Sequence, residues 1–503
     1  MEKLAKIHSF AVSGLEPQLI DVEVDVGAGI PSVTIVGLPD KAVEESKERV
    51  RLALKNSGFD FPQKKIVVNL APADLKKEGP SFDLPIAMGV LSAGGFIDPK
   101  MIEKILFLGE LSLTGKLRPT RGVVQSAILA KKLGLKLVCP SENATEADLV
   151  SSLEIMPIGN LKGLVRSILE NKKFYQTVFP KFERTEEDDD YDFSKIVGQS
   201  QAKRAFEIAA AGAHNILTQG SPGGGKTLLS RSMVGILPEL DEDEILELTK
   251  IYSVAGLLNT NQPIVTQRPF RCPHHTTSPV AIIGGGSIPK PGEITLAHRG
   301  VLFLDEFPEF PRSVLESLRQ PLEDHFVTIS RSQAAVRFPA DFILVAAKNP
   351  CPCGYFGDET KECICSPGQI DKYNKRISGP MLDRIDIRIN VDKMPIRQLN
   401  SFKVSESSKL VRDRVSAARK LQLTRSIKIF GKRKLNSKLK KDDIEKIGID
   451  QQAENVILSS AEKLDLSMRS FVKILRVART VADLAGEDKI SKQHVIEALQ
   501  YRN

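Results

Sequence analysis

The 503-residue sequence has no apolar run approaching the roughly 18 residues that a membrane-spanning helix needs. Its opening residues, MEKLAKIHSF, also lack the apolar core of a secretory signal peptide. Cysteine is scarce, since six in a chain of this length are too few for a disulfide-based scaffold. These absences predict a cytoplasmic protein without a membrane partner.

Charge of either sign is also not in large excess. The chain has 71 Lys and Arg against 63 Asp and Glu, a net charge of +8. An excess of this size is compatible with a polyanionic partner but does not require one. The placement of the basic residues therefore matters more than their total.

The chain divides by pattern into four segments. Residues 1–170 alternate short β-branched stretches, at 19–26, 33–36 and 65–70, with amphipathic helical ones at 40–56 and 122–133, which predicts an α/β or α+β domain. Residues 171–195 lose this periodicity and contain an acidic cluster, as a linker does. Residues 196–392 have short apolar strands between helices, the pattern of a parallel sheet covered on both faces. Residues 393–503 are basic and helical, which predicts a third module.

The strongest motif is a glycine-rich loop between an apolar strand and a helix. It consists of Gly220, Ser221, Pro222, Gly223, Gly224, Gly225, Lys226 and Thr227. In such a loop the backbone N–H groups surround a phosphate at the helix N-terminus. Lys226 would reach the β- and γ-phosphate oxygens, and the Thr227 hydroxyl would bind Mg²⁺. The motif predicts an ATP and magnesium site.

Two further apolar strands end in polar residues suited to hydrolysis. Asp305 and Glu306 follow the strand at 301–304, where Asp305 would hold the magnesium shell and Glu306 would polarise the attacking water. Asn349 follows the strand at 342–347 and is a candidate for touching the γ-phosphate or orienting water. Taken alone, each could be an ordinary strand exit. The phosphate loop upstream favours the catalytic interpretation.

Four of the six cysteines crowd into one short segment. Cys351 and Cys353 are separated by nine residues from Cys363 and Cys365. Four thiolates at this spacing suit tetrahedral Zn²⁺, although C-x-C pairs are less diagnostic than C-x-x-C pairs and free thiols remain an alternative. The position of the segment suggests a structural brace rather than a catalytic metal.

Three histidines, His274, His275 and His298, also lie between the phosphate loop and Asp305. No pair of cysteines at the spacing of zinc ligands stands beside them. We therefore favour histidines that support loops around the nucleotide site over a second metal site.

The motifs also carry a family resemblance. Residues 196–199 resemble the adenine-side box of AAA+ ATPases, and Asn349 stands at their sensor-1 position. Residues 379–386 resemble the arginine-finger segment shared by magnesium-chelatase and MCM-type proteins, which implies that Arg384 reaches the ATP of a neighbouring subunit.

The last module carries a second such segment. Residues 467–469 resemble sensor 2, which implies that Arg469 is a second γ-phosphate arginine, with Arg476 as the lesser claimant.

Together with residues 268–275 and 291–298, these segments make the chain resemble, over nearly its whole length, the magnesium-chelatase-like AAA+ family that includes the bacterial competence protein ComM. The resemblance implies an AAA+ P-loop core with a helical C-terminal lid. It further implies a homo-hexameric, Mg·ATP-dependent motor on single-stranded or branched DNA, a helicase or branch-migration factor working with recombination proteins. The alternative is a magnesium-chelatase-like chaperone that remodels a protein partner.

Asp305 lies 79 positions beyond Lys226, a separation longer than one helix and one strand require, so we expect an insertion with a loop at 284–290. A second hairpin is expected at 323–339. In the related MCM helicases, insertions at these positions line a pore and touch nucleic acid. The resemblance therefore implies Lys290 and Arg331 as DNA phosphate contacts, with an ordinary surface hairpin as the alternative.

Residues 1–170 resemble the Lon-type proteolytic domain, which has the α/β fold of ribosomal protein S5 domain 2. Residues 77–81 align with the segment of the Lon nucleophile, and residues 109–111 with a later strand. Lon chemistry needs a lysine to activate the serine hydroxyl. Val124 occupies the position of that lysine, so we expect Ser81 to be structural and a protease function to be absent.

Overall fold

The structure, a computed structural model, describes residues 4–77, 79–180, 189–258, 262–286, 289–330, 335–358, 361–393 and 406–502. Its Cα positions divide into two compact units. The first contains Met1–Glu183 and Asp241–Thr266, and the second contains Arg184–Leu240 and Gln267–Asn503. This division differs from the linear order of the sequence segments, because Asp241–Thr266 belongs to the first unit and the C-terminal module shares the second with the phosphate loop.

The first unit is built on one mixed eight-stranded sheet. Its strands, with a short separate pair β6 and β7, are β1 (Leu4–Ser13), β2 (Glu16–Gly27), β3 (Ser32–Val36), β4 (Lys65–Ala71), β5 (Ile105–Phe107), β6 (Glu110–Leu111), β7 (Leu117–Arg118), β8 (Lys136–Pro140), β9 (Glu154–Ile158) and β10 (Tyr175–Gln176). The sheet order is β10-β9-β8-β5-β1-β2-β4-β3. Its α-helices are Lys41–Glu44, Ser46–Asn56, Asp83–Ala93, Val123–Leu133, Ala144–Asp148, Leu161–Leu169 and Glu242–Ala255.

Apolar and polar residues alternate along β2, so this strand has one buried face. Ile20, Val22 and Val24 are fully buried, whereas the residues between them are not. The apolar helix Asp83–Ala93 covers that face, and a Cβ at Gly89 would lie 2.4 Å from Val24 Cγ2. The strands predicted at 19–26, 33–36 and 65–70 are confirmed, as is the helix at 122–133, while the predicted helix at 40–56 is two helices.

The second unit contains a five-stranded parallel sheet and two hairpins. Its strands are β11 (Ile216–Gln219), β12 (Phe270–Arg271), β13 (Gly284–Gly285), β14 (Lys290–Pro291), β15 (Val301–Leu304), β16 (Phe326–Ser330), β17 (Ala335–Pro339), β18 (Ile343–Lys348) and β19 (Ile387–Asn390). The α-helices up to β19 are Ser200–Gly212, Lys226–Ile236, Pro279–Ile283, Glu293–Leu296, Arg312–Ser317, Arg319–Asp324, Pro367–Asn374 and Gly379–Leu382. The α-helices after β19 are Ser408–Phe430, Lys441–Ile447, Gln451–Lys463, Met468–Leu484 and Lys492–Gln500.

The parallel sheet has the order β12-β15-β18-β11-β19. Since all five strands run in one direction, their carboxyl ends share one edge, and the phosphate loop, Asp305 and Asn349 follow three adjacent strands there. The C-terminal helices are not a detached module, because Val415 and Val481 belong to the same hydrophobic cluster as Phe206 and Val345 of the sheet layer.

Of the described residues, none lies in a helix that is both long enough and apolar enough to span a bilayer.

Candidate functional site

The phosphate loop, residues 220–227, has the backbone that its glycines allow. Gly223 and Gly225 have φ values of +83° and +88°, a region that L side chains rarely adopt. At Gly220 a Cβ would lie 2.1 Å from the backbone oxygen of Val391, so the loop needs glycine there for space. The helix Lys226–Ile236 begins directly after Gly225, so its first N–H groups face the loop.

Lys226 places its ammonium group inside the loop. Its Nζ donates to the backbone oxygens of Gly220 (2.6 Å) and Ser221 (3.0 Å) and to Oδ1 of Asn349 (3.3 Å). The residue is only 8% exposed, and this burial lowers the pKa of Lys226. The structure thus brings together Lys226 and Asn349, which sequence analysis assigned to one site from two separate strands.

Oxygen ligands lie beside the lysine. Thr227 Oγ1 donates to Asp305 Oδ2 at 3.2 Å, and Asp305 Oδ1 accepts the backbone N–H of Glu306 at 2.9 Å. A hydroxyl and a carboxylate are the donor set that Mg²⁺ prefers, so these two residues fit a magnesium ion.

Glu306 holds its carboxylate at the edge of the site. Its φ is +50°, an unusual value for a residue with a side chain, and its side chain is 52% exposed. Oε2 lies 3.1 Å from Nδ1 of His275, whose ring packs against those of His274 and Phe310. This contact places His275 against the residue expected to activate water, and the four clustered cysteines form a group of potential metal ligands elsewhere among the described residues.

A cavity of about 620 Å³ is lined by part of the adenine-side box, Gly198 and Gln199, and by Lys393. Gln199 Nε2 donates to the backbone oxygen of Asp392 at 2.6 Å. The next residue, Lys393, approaches to 3.6 Å from the Cβ position of Gly223. The volume of this cavity is within the range of cofactor pockets and leaves room for a nucleoside.

The two arginines expected to act on γ-phosphates meet at one carboxylate in the single chain. Arg384 is 9% exposed and donates to Glu323 Oε1 at 2.5 Å and to the backbone oxygen of Pro380 at 2.6 Å. Arg469 has a nitrogen 3.8 Å from the same Glu323 oxygen. The side chain of Arg476 donates to the backbone oxygen of Leu439 at 2.6 Å.

Sequence reasoning did not identify Glu323 as a partner of these arginines. It lies in the helix Arg319–Asp324, directly before the second hairpin, and an exposed glutamate in such a helix carries no motif. The negative charge of Glu323 is the one sequence feature that is consistent with an arginine partner.

The four cysteines form a compact cluster in the segment that we call the cysteine knuckle, residues 351–365, of which 359 and 360 lie outside the described residues. Cys351 Sγ lies 3.3 Å from that of Cys353 and 3.7 Å from that of Cys363, and all four sulfurs lie within 4.8 Å of one another. Zn–S bonds of about 2.3 Å in a tetrahedron place sulfurs about 3.8 Å apart. The donor set fits zinc.

The two inserted hairpins are present and touch one another. The first pairs β13 with β14 and carries Lys290, which is exposed, and the second pairs β16 with β17. A Cβ at Gly284 would lie 2.9 Å from Cδ1 of Ile329, so the hairpins pack directly together. Arg331 lies outside the described residues.

The segment that aligns with the Lon nucleophile segment lies next to the helix Asp83–Ala93. Ser81 precedes the helix Asp83–Ala93, and its backbone oxygen accepts from Gly109 N at 3.1 Å. Val124 is fully buried on the helix Val123–Leu133. Lys77 is also buried, and its ammonium donates to the backbone oxygen of Pro72.

Comparison with known proteins places this geometry in a family. The family model described as magnesium chelatase, subunit ChlI, matches residues 192–399, that of the ChlI C-terminal region matches residues 405–502, and that of subunit ChlI of Mg-chelatase matches residues 22–143. The competence protein ComM of Haemophilus influenzae is 43% identical over 99% of this chain and 97% of its own length.

The chain belongs to the magnesium-chelatase-like family of ComM and YifB type. The uncharacterized protein YifB of Escherichia coli is 41% identical over 99% of this chain and 97% of its own length. The magnesium-chelatase subunit ChlI of Mesostigma viride is 21% identical over 61% of this chain and 85% of its own length. Membership of this AAA+-like family indicates ATPase activity and the use of ATP and Mg²⁺.

For this member of the family we predict one zinc ion per chain, bound at the cysteine knuckle. Removing it with a strong chelator should lower the midpoint of thermal unfolding by about 4 °C or more, because thiolate ligation contributes folding free energy. Metal analysis and scanning calorimetry of Cys363→Ser measure both quantities, with Cys272→Ser, an exposed cysteine outside the cluster, as the control. Protein purified without chelators and free of zinc would contradict the assignment.

We also predict that the first unit has no peptidase activity, because a buried valine cannot accept the proton of Ser81. Casein incubated with the protein and ATP should remain intact, as judged by release of labelled peptides. Cleavage that disappears in Ser81→Ala, and persists in the matched variant Ser92→Ala, would show that another residue serves as the base.

Proposed function

We propose that the protein is a homo-hexameric, Mg·ATP-dependent motor that translocates on DNA in the cytoplasm, as a helicase or branch-migration factor in recombination or natural transformation. The observation that carries the ATPase part is the convergence of Lys226, Thr227, Asp305 and Asn349 at one sheet edge, with Glu306 beside them. In this proposal the second unit is an AAA+ core with a helical lid, and the first unit is a Lon-like fold without protease chemistry.

Each side chain has a distinct role in the proposed hydrolysis. Lys226 exchanges its contacts with loop carbonyls for phosphate oxygens, and Thr227 and Asp305 hold the magnesium shell. Mg²⁺ bound by these two residues would neutralise the charge that develops on the phosphates. Glu306, whose carboxylate is held in place by His275, accepts a proton from the attacking water. Asn349 orients the γ-phosphate or that water.

Assembly follows from the role proposed for Arg384. To act as an arginine finger, it must release Glu323 and reach the phosphate of a neighbouring subunit. In this scheme Arg469 then contacts the γ-phosphate of its own subunit. A ring of six copies provides one such neighbour for every site.

DNA as the cargo is supported by the hairpins and by a relative. The two hairpins pack together, and Lys290 is exposed on one of them. Together with Arg331, it would contact phosphates without sequence preference. The relative that is 43% identical over nearly the full length is called a competence protein, which supports a role in transformation alongside recombination proteins.

The test is the ATPase rate with and without single-stranded, duplex and branched DNA, measured over a salt series. We expect DNA to raise the turnover and its affinity to fall steeply with salt as counterions are released. Lys290→Ala should reduce the slope of log affinity against log salt by about 1, whereas Lys162→Ala, on an exposed position of the first unit, should not. An active ATPase that is indifferent to every DNA would favour the protein-remodelling alternative.

A further inference from the structure

The cysteine knuckle makes direct contact with the phosphate loop. Gly354 has a φ of +85°, and a Cβ added to it would lie 2.8 Å from both Cδ and Cγ of Pro222. Since real Cβ atoms essentially never come so close to a ring, the backbone of the knuckle fills the space next to Pro222 completely. Only glycine permits this contact.

The knuckle also holds the strand end that bears Asn349. Cys351 is two residues beyond Asn349 and is fully buried, and its backbone oxygen accepts from Gly354 N at 3.0 Å. Asn349 in turn accepts from Lys226 Nζ. The first cysteine therefore fixes, within one turn, both the contact with Pro222 and the position of the side chain that touches the phosphate-binding lysine.

A second connection runs from the middle of the knuckle. Asp358 is nearly buried, and its Oδ2 lies 3.9 Å from Nζ of Lys393. Lys393 packs against the loop at Gly223, 3.6 Å from its Cβ position. The knuckle thus supports consecutive residues of the loop, Pro222 directly and Gly223 through Lys393.

A metal ion bound at the sulfur cluster would hold the knuckle closed. Three of its sulfurs are 3.3 to 3.7 Å apart, a spacing at which thiolates repel one another unless a cation lies between them. Metal ligation at such sites is folding free energy for the surrounding loop. Loss of the metal would open the knuckle and release its contacts with the phosphate loop.

We propose that the cysteine knuckle is a metal-dependent brace for the phosphate loop, so that zinc occupancy sets the affinity for ATP. The inference rests on the zinc site and the ATP site of the proposed function. It adds that the two sites are coupled through the contact between Gly354 and Pro222. Bound zinc then strengthens nucleotide binding, and the size of this effect is the coupling free energy between the two sites.

The chain offers a matched pair of variants for the test. Gly354 and Gly357 both lie in the knuckle with nearly equal φ values, +85° and +80°, but a Cβ at Gly357 would meet nothing within 4 Å. Alanine therefore has an unfavourable φ at both positions, and only Gly354→Ala also pushes against Pro222. Zinc content, thermal unfolding and the Kd of a fluorescent ATP analogue are measured on the full chain for both variants.

We expect Gly354→Ala to raise the Kd for the ATP analogue by about tenfold or more at full zinc content, and Gly357→Ala to leave it near the wild-type value. Removing zinc from the wild type should raise the Kd by a similar factor. Unchanged affinity in Gly354→Ala with zinc bound, or in the zinc-free wild type, would overturn the coupling. Zinc-loaded wild type that binds no ATP would instead contradict the proposed function.

Pro222→Ala provides a second route if Gly354→Ala loses its zinc. This variant removes the ring that the knuckle presses on and leaves the cysteines untouched. Zinc removal should then weaken ATP binding less in Pro222→Ala than in the wild type, because the path between the sites is cut. An equal effect of zinc removal in both proteins would overturn the proposal.

Discussion

Lys226→Ala should abolish nucleotide binding, whereas Glu306→Gln should bind ATP as the wild type does and hydrolyse it about 10²- to 10⁴-fold more slowly. The two variants should differ because their side chains lie at different places in the site. The Lys226 ammonium lies inside the phosphate loop, and the Glu306 carboxylate lies at its edge, beside His275. Only the lysine variant loses a phosphate contact, and only the glutamine variant loses the base that activates water.

Equilibrium binding of a fluorescent ATP analogue and the steady-state release of phosphate separate the two variants. Glu309→Gln is the control, because Glu309 lies on the same segment as Glu306 but pairs with Arg376. Its turnover should stay near the wild-type rate. Equal nucleotide affinity in Lys226→Ala and the wild type would remove the assignment of the phosphate loop.

Arg384→Ala should bind ATP nearly normally and hydrolyse it about 10³-fold more slowly or worse, because an arginine finger acts on the transition state alone. In the single chain, Arg384 is held by Glu323 and by backbone oxygens. A purely structural role would therefore lower the thermal stability of the variant. Arg166→Ala is the matched control, since Arg166 forms an exposed ion pair with Glu170.

Mixing tests whether the arginine acts in a neighbouring subunit. Arg384→Ala has an intact phosphate loop, and Lys226→Ala has an intact finger. Interfaces formed between the two variants should recover part of the activity, which neither variant shows alone. A monomer with full ATPase activity, or mixtures without any recovery, would count against the finger.

The convergence of the candidate ATP-site residues could be predicted from sequence, because each of them follows a strand of one parallel sheet. Gly220 to Thr227 must follow a strand and precede a helix, and Asp305 and Asn349 must end strands of the same parallel sheet. Their convergence at Lys226 and Asp305 needs no information beyond that order. The same reasoning found the strands of the first unit, since their apolar residues alternate.

The placement of Asp241–Thr266 was not predictable in this way. A capping box at Asp241 and Glu244 indicates where its helix begins, but not what the helix packs against. Its partners are Gly122, whose N–H donates to Ser253 Oγ, and Gln125, whose Nε2 donates to the backbone oxygen of Lys250. Such tertiary contacts between distant segments leave no periodic pattern, and the shared contact of Arg384 and Arg469 with Glu323 is equally hidden.

In the proposed function ATP hydrolysis drives movement along DNA, a claim that can be tested by displacement of a labelled strand from a branched DNA substrate. The wild type with Mg·ATP should displace the strand, while Glu306→Gln, which binds ATP without rapid turnover, should bind the substrate and leave it intact. Wild-type protein that hydrolyses ATP but displaces no strand from any branched or tailed substrate would contradict the claim.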